Sequence, residues 1–499
     1  MYIFKTLMLN SIKFFFIANS SESLFKKTAK GSFWLLVFRI LDQSFGLIGT
    51  IILARLLAPS DFGLFGITLL AVSFLDTFSQ TGFQPALVHK KGDIRPYLDT
   101  SFIIQAVRGF LIALTIFVSA PYIAIFFKVE AAVPILRIIG FAIFIQGLEN
   151  IATIYLQKEL EFKKYFIYQI SGTFAKFFIS VILALIFRNV WALVIGFLAG
   201  TILRCFVSYV VYFYKPRLIF DFAKAKELFG YGKWIFGSNI ISFFVTQIDS
   251  FFVQKLIGVV GLGFYQISYK VPSILNMEIL TAAAFPAYAK IQDDISKLRD
   301  AYLKITKISF IILMPMAGGI FVIAADFITL FLGEKWLPSL WPMRILSLSV
   351  SMWMVAVVSN YMFLAIGRPN VTTRWTSIKL LILLIFLYPF IIKYDITGAS
   401  IVVLASSLVA TFGLAFEAIK AIKCGFIQFI NNVIFSFINA LIMAVSVYFL
   451  KGYFPDGILG FLTTVLAGIL IYFFLTLISD KIFNDKAFLL VKETVGLLK

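Results

Sequence analysis

Basic side chains recur inside long apolar segments of this sequence, where a charge needs a partner or a hydrated space. The positions are Arg39, Arg108, Arg137, Lys176, Arg204, Lys270, Arg344 and Lys379. A charge at the centre of a bilayer costs at least about 2.5 kcal/mol, so such residues usually face a cavity or an acid, or reach the membrane surface. Arginine offers paired hydrogen bonds to phosphate oxygens. The deeper cations therefore predict binding of an anion such as a diphosphate.

The candidate anion site consists of the cations that lie deepest in their segments. They are Arg39, Arg108, Lys176, Arg204 and Lys270. The acids within the apolar segments are Asp42, Asp76, Glu149, Asp249, Glu278, Asp326 and Glu417. Asp42 and Asp249 are candidates for binding H⁺ or Na⁺ and coupling transport to it, but Asp42 is also one helical turn from Arg39. A purely structural ion pair is the alternative there.

Composition places these charges in a membrane protein. The 499 residues are 61% hydrophobic and 14% charged, with a mean hydropathy of +0.97. A spanning helix needs about 20 mostly apolar residues. The sequence predicts an all-α polytopic protein with about fourteen such helices, at 33–57, 62–87, 101–127, 132–156, 165–187, 190–214, 234–257, 263–287, 307–332, 340–366, 371–392, 397–419, 427–450 and 458–479.

Loop charges predict the orientation of these helices. The connections on the side of the N-terminus carry 29 lysines and arginines, and those on the opposite side carry seven. Positive loops stay in the cytoplasm, so both termini are predicted to be cytoplasmic. The net charge of +19 is thus a topology signal and not a sign of nucleic-acid binding. Cys205, Cys424 and the lone His89 offer neither metal-ligand spacing nor a disulfide framework.

An internal repeat with a spacing of 200 residues predicts two related halves. Residues 53–68, LARLLAPSDFGLFGIT, align without gaps on 253–268, VQKLIGVVGLGFYQIS, and Gly63 matches Gly263. Six predicted helices separate the copies, so both halves have the same orientation. The expected arrangement is two six-helix bundles related by an axis along the membrane normal.

The predicted division of the chain follows from this repeat. The bundles span 33–214 and 234–419, a cytoplasmic linker at 215–233 holds an amphipathic helix at 221–229, and two extra helices occupy 427–479. Segments 1–32 and 480–499 are predicted to be cytoplasmic or interfacial. The short apolar run at 14–17 lacks a convincing cleavage site, so an interfacial helix, or a start at Met8, is preferred to a signal peptide.

Polar stripes on four of the predicted helices indicate a hydrated central cavity. They comprise Arg39, Asp42, Gln43, Gly46, Gly49 and Thr50; Ser73, Thr77, Gln80 and Gln84; Asn239, Ser242, Thr246 and Asp249; and Gln266, Lys270 and Ser273. Small and hydroxylated residues on one face are also how membrane helices pack closely. Cavity lining and helix packing both remain open for the smaller residues.

Several segments resemble bacterial oligosaccharide flippases of the Wzx type. They are IILARLLAPSDFGLFGI at 51–67, YLQKELEFKK at 155–164, FGYGKWIFGSNII at 229–241, AFPAYAKIQDD at 284–294 and FLGEKWLPS at 331–339. Their order covers residues 24–425 and is most similar to the exporters of lipopolysaccharide and exopolysaccharide. The resemblance implies the multidrug/oligosaccharidyl-lipid/polysaccharide exporter fold, with alternating access to a central cavity in the bacterial inner membrane.

The resemblance also implies a substrate and partners. The substrate would be an undecaprenyl-diphosphate-linked oligosaccharide, moved from the cytoplasmic to the outer leaflet, and a polysaccharide polymerase and co-polymerase would be partners. No resident cofactor is expected. A multidrug or metabolite antiporter of the same superfamily is the nearest alternative, although the deep charges lean basic. A membrane enzyme of polysaccharide assembly is disfavoured, because the outer loops are short and the sequence has neither a D-x-D nor a Walker A motif.

Overall fold

The computed structural model describes residues 22–79, 83, 87, 90, 92–275 and 284–483. Only the backbone is described for 22–32, 228–236, 238 and 483. The described regular structure is helical throughout. The predicted features at 14–17, Gln80, Gln84, His89 and Glu278, and most of the tail, lie outside these residues.

The described residues form fifteen α-helices, and short 3₁₀ or π turns join some of them. In the first half they are α1 (Glu22–Leu56), α2 (Pro59–Ser79), α3 (Arg95–Phe127), α4 (Ala132–Gly147), α5 (Ile154–Lys158), α6 (Phe162–Phe187), α7 (Trp191–Val211), α8 (Phe222–Leu256) and α9 (Val259–Lys270). The remaining six are α10 (Ala284–Lys290), α11 (Ile295–Phe327), α12 (Leu340–Ala365), α13 (Pro369–Ala421), α14 (Phe426–Leu450) and α15 (Ile458–Phe483).

The lengths and apolar character of these helices define a multi-pass membrane protein. Within the described residues, 10 helices are long and apolar enough to cross a bilayer. The segments Ala132–Gly147 and Ile151–Lys158 meet at 65° and together give an eleventh. Asn150 stabilises this bend, because its side-chain oxygen accepts from the Ala152 amide and its nitrogen donates to the Ser208 carbonyl oxygen at 3.1 Å.

Helix α13 is broken at a single residue. Its 53 residues would extend about 80 Å, far beyond a bilayer thickness of about 30 Å. Asp395 interrupts it with φ 57° and ψ −144°. A Cβ at Gly398 would lie 2.0 Å from the Phe390 carbonyl oxygen, so the chain reverses over a few residues. The break separates 369–394 from 396–421 and forms a tight helical hairpin.

Internal contacts divide the described chain into two compact units, 22–266 and 267–483. In the first unit α6 packs on α1 and α7, and α2 packs on α4 and α8. In the second, α12 packs on α11 and α13, while α14 and α15 pack together beside α11. The sequence had placed 234–266 in the second bundle. The difference arises because α8 contacts α2 and α3 of the first unit.

The linker also differs from expectation. An amphipathic helix at 221–229 was predicted within the linker, and α8 begins there but runs without interruption from Phe222 to Leu256. Asp221 is its N-cap, since the carboxylate accepts hydrogen bonds from the amides of Ala223 and Lys224. This cap begins the helix at the predicted position, and no proline interrupts it before the apolar segment.

Equivalent glycines of the two repeat copies mark a close crossing of α2 and α9. A Cβ at Gly63 would lie 1.8 Å from the Val259 carbonyl oxygen, and one at Gly263 would lie 1.9 Å from the Pro59 carbonyl oxygen. The contact is reciprocal, because residues 59 and 63 meet residues 259 and 263. Only glycine permits backbones to approach this closely.

Polar contacts tie the start of α8 to the segment before α3. Glu227 accepts from Lys90 in a short ion pair and from the Tyr97 hydroxyl at 2.8 Å. These hydrogen bonds lower the pKa of Glu227 and raise the pKa of Lys90. The stabilisation that comes from ionised Glu227 is therefore present above the ordinary pKa of this group and is lost as pH falls through its lowered pKa. The stabilisation that comes from protonated Lys90 is lost only as pH rises through its raised pKa.

Replacing Glu227 with Gln is expected to speed amide hydrogen exchange at 92–97 and 222–227 at neutral pH, because Lys90 loses its charged partner. The difference from the unmodified protein should shrink as pH falls and Glu227 becomes protonated there too. Glu161→Gln is the matched control, since Glu161 pairs with Lys164 within its own helical turn. Equal exchange of the Glu227 variant and the unmodified protein at neutral pH would contradict this role.

Candidate functional site

Two of the predicted polar stripes meet between α2 and α8. They enclose a cleft of about 340 Å³. Its polar lining includes Ser73, Thr77, Asn239, Ser242, Thr246 and Gln247. Ser73 and Thr77 are one helical turn apart, as are Ser242 and Thr246, so each helix turns one polar face to the other. Hydroxyl and amide groups both donate and accept hydrogen bonds, as the recognition of a sugar requires.

An arginine and an aspartate stand at one side of this cleft. Asp76 lines the cleft, and its carboxylate forms a short ion pair with Nη2 of Arg108. Arg108 also donates from Nη2 to the Asp76 carbonyl oxygen at 2.8 Å and from Nε to Ser79 Oγ at 3.0 Å. Among the residues that the structure describes, none accepts from Nη1. One edge of the guanidinium therefore remains available to an anion.

Arg108 lies deep in its helix. It is 13 residues from Arg95, the first residue of α3, which corresponds to about 20 Å along the axis. A quarter of its side chain is accessible, and 40% of that of Asp76. The pair thus combines partial access with a position inside the predicted span at 101–127.

An apolar groove lies on the other face of α2. Its volume is about 480 Å³, and Arg108 and Ser79 contribute to its wall. The apolar lining includes Leu75, Phe78, Ile104, Leu111 and Phe220. This groove was not predicted from the sequence, because apolar residues on a spanning helix face lipid and protein alike.

Arg204 occupies a different environment. Its Nε donates to Glu149 at 2.8 Å, and the Tyr168 hydroxyl donates to the other oxygen of that carboxylate at 2.6 Å. Glu149 is 11% exposed and Arg204 is 28% exposed. The pair joins the end of α4 to α7, with α6 packed closely at Gly172. Arg204 is therefore engaged in an internal ion pair and does not line the α2–α8 cleft.

The other predicted residues lie at separate places. Asp42 of α1 accepts from Thr173 of α6 at 2.6 Å, and Lys176 lies one turn further along α6 with Nζ 5.7 Å from the centre of the Phe197 ring. Asp249 is buried and accepts from the Tyr265 hydroxyl at 2.9 Å. Arg39 is half-buried on α1. Lys270 is an exposed residue at the end of α9 and belongs to the second unit.

Sequence reasoning identified the stripe residues and Arg108, but it missed their pairing. Asp76 and Arg108 are 32 positions apart, and Glu149 and Arg204 are 55 apart. Only the packing of the helices determines which acid meets which base. In the described residues, no group of three His, Cys, Asp or Glu side chains is arranged to hold a metal ion.

Two solved structures have a similar fold. The lipid II flippase MurJ in an inward closed conformation matches with a TM-score of 0.73 and 17% identity, over 89% of this chain and 98% of that one. An inward-facing MATE multidrug resistance transporter matches with a TM-score of 0.64 and 17% identity, over 76% of this chain and 94% of that one. The chain shares the fold of these two structures. The family profile described as "Polysaccharide biosynthesis protein" covers residues 52–341, more than half of the chain, and the chain belongs to that family.

Relatives in sequence agree with this assignment. The lipopolysaccharide biosynthesis protein WzxC of Escherichia coli K12 is 27% identical over 63% of this chain, which spans only 65% of that relative's length. The succinoglycan biosynthesis transport protein ExoT of Rhizobium meliloti is 24% identical over 86% of this chain and 88% of its own length. The resemblance to Wzx-type exporters is thereby confirmed. The names of these relatives and fold neighbours describe polysaccharide biosynthesis or transport, a lipid II flippase and a multidrug resistance transporter.

Proposed function

We propose that this protein is a flippase that moves a lipid-linked oligosaccharide from the cytoplasmic to the outer leaflet of a bacterial inner membrane. The observation that carries the proposal is the polar cleft between α2 and α8, with the Arg108–Asp76 pair at its side. The cleft supplies hydrogen bonds for sugar hydroxyls, and Arg108 supplies a charge for a diphosphate. The names of WzxC and ExoT support a polysaccharide precursor as cargo.

Arg108 is the first phosphate ligand in this proposal. Its Nη1 edge binds the anion while Asp76 and Ser79 hold the opposite edge, so the guanidinium is oriented before substrate arrives. Arg39, Lys176 and Lys270 add positive charge along the transport path. Arg204 stabilises the fold through its ion pair with Glu149. Asp42 and Asp249 are the candidates for H⁺ or Na⁺ coupling.

The proposed topology has fourteen spans and two cytoplasmic termini. The hairpin at Asp395 makes two spans of α13, while α8 and the segment that starts with α9 supply two more beyond the helices counted by length. The excess of basic residues in alternate loops supports the orientation. Alternating access would then open the cleft between α2 and α8 to each side of the membrane in turn.

The test is flipping by the full chain in vesicles. A fluorescent undecaprenyl-diphosphate oligosaccharide starts in one leaflet, and its arrival in the other is read with an impermeant quencher. Faster movement than in protein-free vesicles is the expected result. Efflux of a small soluble compound without movement of the lipid would favour the multidrug exporter instead.

Replacing Arg108 with Ala is expected to slow flipping roughly 10- to 100-fold, since a hydrogen bond to a charged group contributes about 1.5–3 kcal/mol. Asp76→Asn keeps the cation and should keep substrate binding. Arg137→Ala is the matched control, because Arg137 is another arginine in an apolar helix of the same unit and lies over the Phe117 ring, 4.5 Å from its centre. A normal rate for Arg108→Ala would remove Arg108 from the proposed site.

A further inference from the structure

We propose that the apolar groove between α2 and α3 holds the isoprenoid chain of the lipid-linked substrate, in the part nearest the diphosphate. This inference rests on the proposed function and adds a second subsite to it. The substrate would straddle α2, with its lipid on one face of the helix and its sugars on the other.

The arrangement of side chains on α2 is the basis. Ser73, Asp76 and Thr77 line the polar cleft, whereas Leu75, Phe78 and Ser79 line the groove. These two sets occupy different faces of one helix. An amphiphile with a polar and an apolar part finds complementary surfaces on the two sides of α2.

Arg108 joins the two subsites. Its side chain is part of the groove wall, and it is bonded to Asp76, which lines the cleft. An apolar groove in a membrane protein normally binds any membrane lipid. A cation in its wall makes the groove selective among lipids. The charge favours a chain whose anionic group lies next to Arg108, seven residues or about 10 Å inside the predicted span at 101–127. A bulk phospholipid, whose phosphate remains at the membrane surface, is expected to compete less well for this position.

The extent of the groove fits a segment of chain and not a headgroup. Along α3 its lining runs from Ile103 to Thr115, about 18 Å at 1.5 Å per residue. Phe220, from the connection before α8, closes part of its wall. The groove gains little from the hydrophobic effect, because the bilayer is equally apolar. Its contribution is to make lipid and diphosphate binding one event, which raises the effective concentration of the diphosphate at Arg108.

Photolabelling of the full chain in vesicles tests the location. Undecaprenyl-diphosphate oligosaccharide carries a diazirine either on the isoprene unit next to the diphosphate or on the terminal unit. The proximal probe should label peptides of α2 and α3 around Leu75, Phe78 and Leu111, and the terminal probe should not concentrate there. A labelling pattern identical to that of a diazirine phospholipid would overturn the proposal.

A pair of tryptophan variants tests the function of the groove. Leu111→Trp fills it, and Val118→Trp places the same bulk on an exposed part of α3 outside the lining. Flipping by Leu111→Trp should fall about tenfold, equivalent to about 1.4 kcal/mol, while Val118→Trp flips normally. With a substrate that carries only a two-isoprene lipid, Leu111→Trp and Val118→Trp should flip at the same rate. Thermal melting checks that both variants fold.

The outcomes separate this inference from the proposed function. Flipping by the unmodified chain with equal rates for both variants would overturn the groove and leave the flippase intact. Absence of flipping by the unmodified chain would refute the proposed function. Photolabelling would then still decide whether the groove selects an isoprenoid diphosphate over phospholipid.

Discussion

Replacing Arg204 with Ala is expected to lower the free energy of unfolding by about 3–5 kcal/mol, because removal of one member of a buried pair leaves the other charge without compensation. Glu149 is that charge, and it would keep only its hydrogen bond from Tyr168. The measurement is thermal or denaturant unfolding of the purified protein in detergent. A loss of this size should lower the yield of folded protein and its melting temperature, whether or not substrate is present.

A double replacement makes this prediction specific. Arg204→Met with Glu149→Gln removes both charges and should recover most of the lost stability, as neutral replacements of buried ion pairs often do. The sequence alone suggested Arg204 as a phosphate ligand, and the two roles give different results. Normal melting of Arg204→Ala together with lost flipping would return Arg204 to the substrate site and refute the structural role.

Adding a methyl group at the α2–α9 crossing should have the second large effect. The backbones of Gly63 and Val259 are so close that Ala at either glycine forces the helices apart. Overpacking in a close contact costs about 1–3 kcal/mol per site. Gly63→Ala and Gly263→Ala are each expected to lower the melting temperature, and the double variant should stop flipping.

The control for this prediction is Gly237→Ala in α8. Among the side chains and neighbouring helices that the structure describes, no atom lies within 4 Å of a Cβ at Gly237, so this change keeps the packing and improves helix propensity. Its melting temperature should equal or exceed that of the unmodified protein. Unchanged melting in both crossing variants would show that α2 and α9 are not in backbone contact.

The sequence predicted those parts of the fold that depend on local composition. Apolar length placed the helices, and the separate spans predicted at 371–392 and 397–419 correspond to the division of α13. The bend after Gly147 was not predicted, since it depends on hydrogen bonds from Asn150 to residues about 60 positions away. The start of α8 was predicted, but not its continuity into the apolar segment.

The candidate site was also predicted only in part from the sequence. Ser73, Thr77, Asn239, Ser242 and Thr246 were recognisable because helical periodicity brings polar residues onto one face. That these two faces meet was only an expectation from the repeat. The partners of Arg108 and Arg204 depend on the rotation and depth of neighbouring helices, and apolar surface leaves those quantities undetermined from a single chain.

The hairpin at Asp395 has a mechanical consequence. Its two arms meet over so few residues that the backbone at Gly398 touches that at Phe390, which leaves no slack for one arm to slide or tilt alone. Any motion that displaces residues 369–394 must carry 396–421 with it. We therefore expect the two helices to move together as one hairpin.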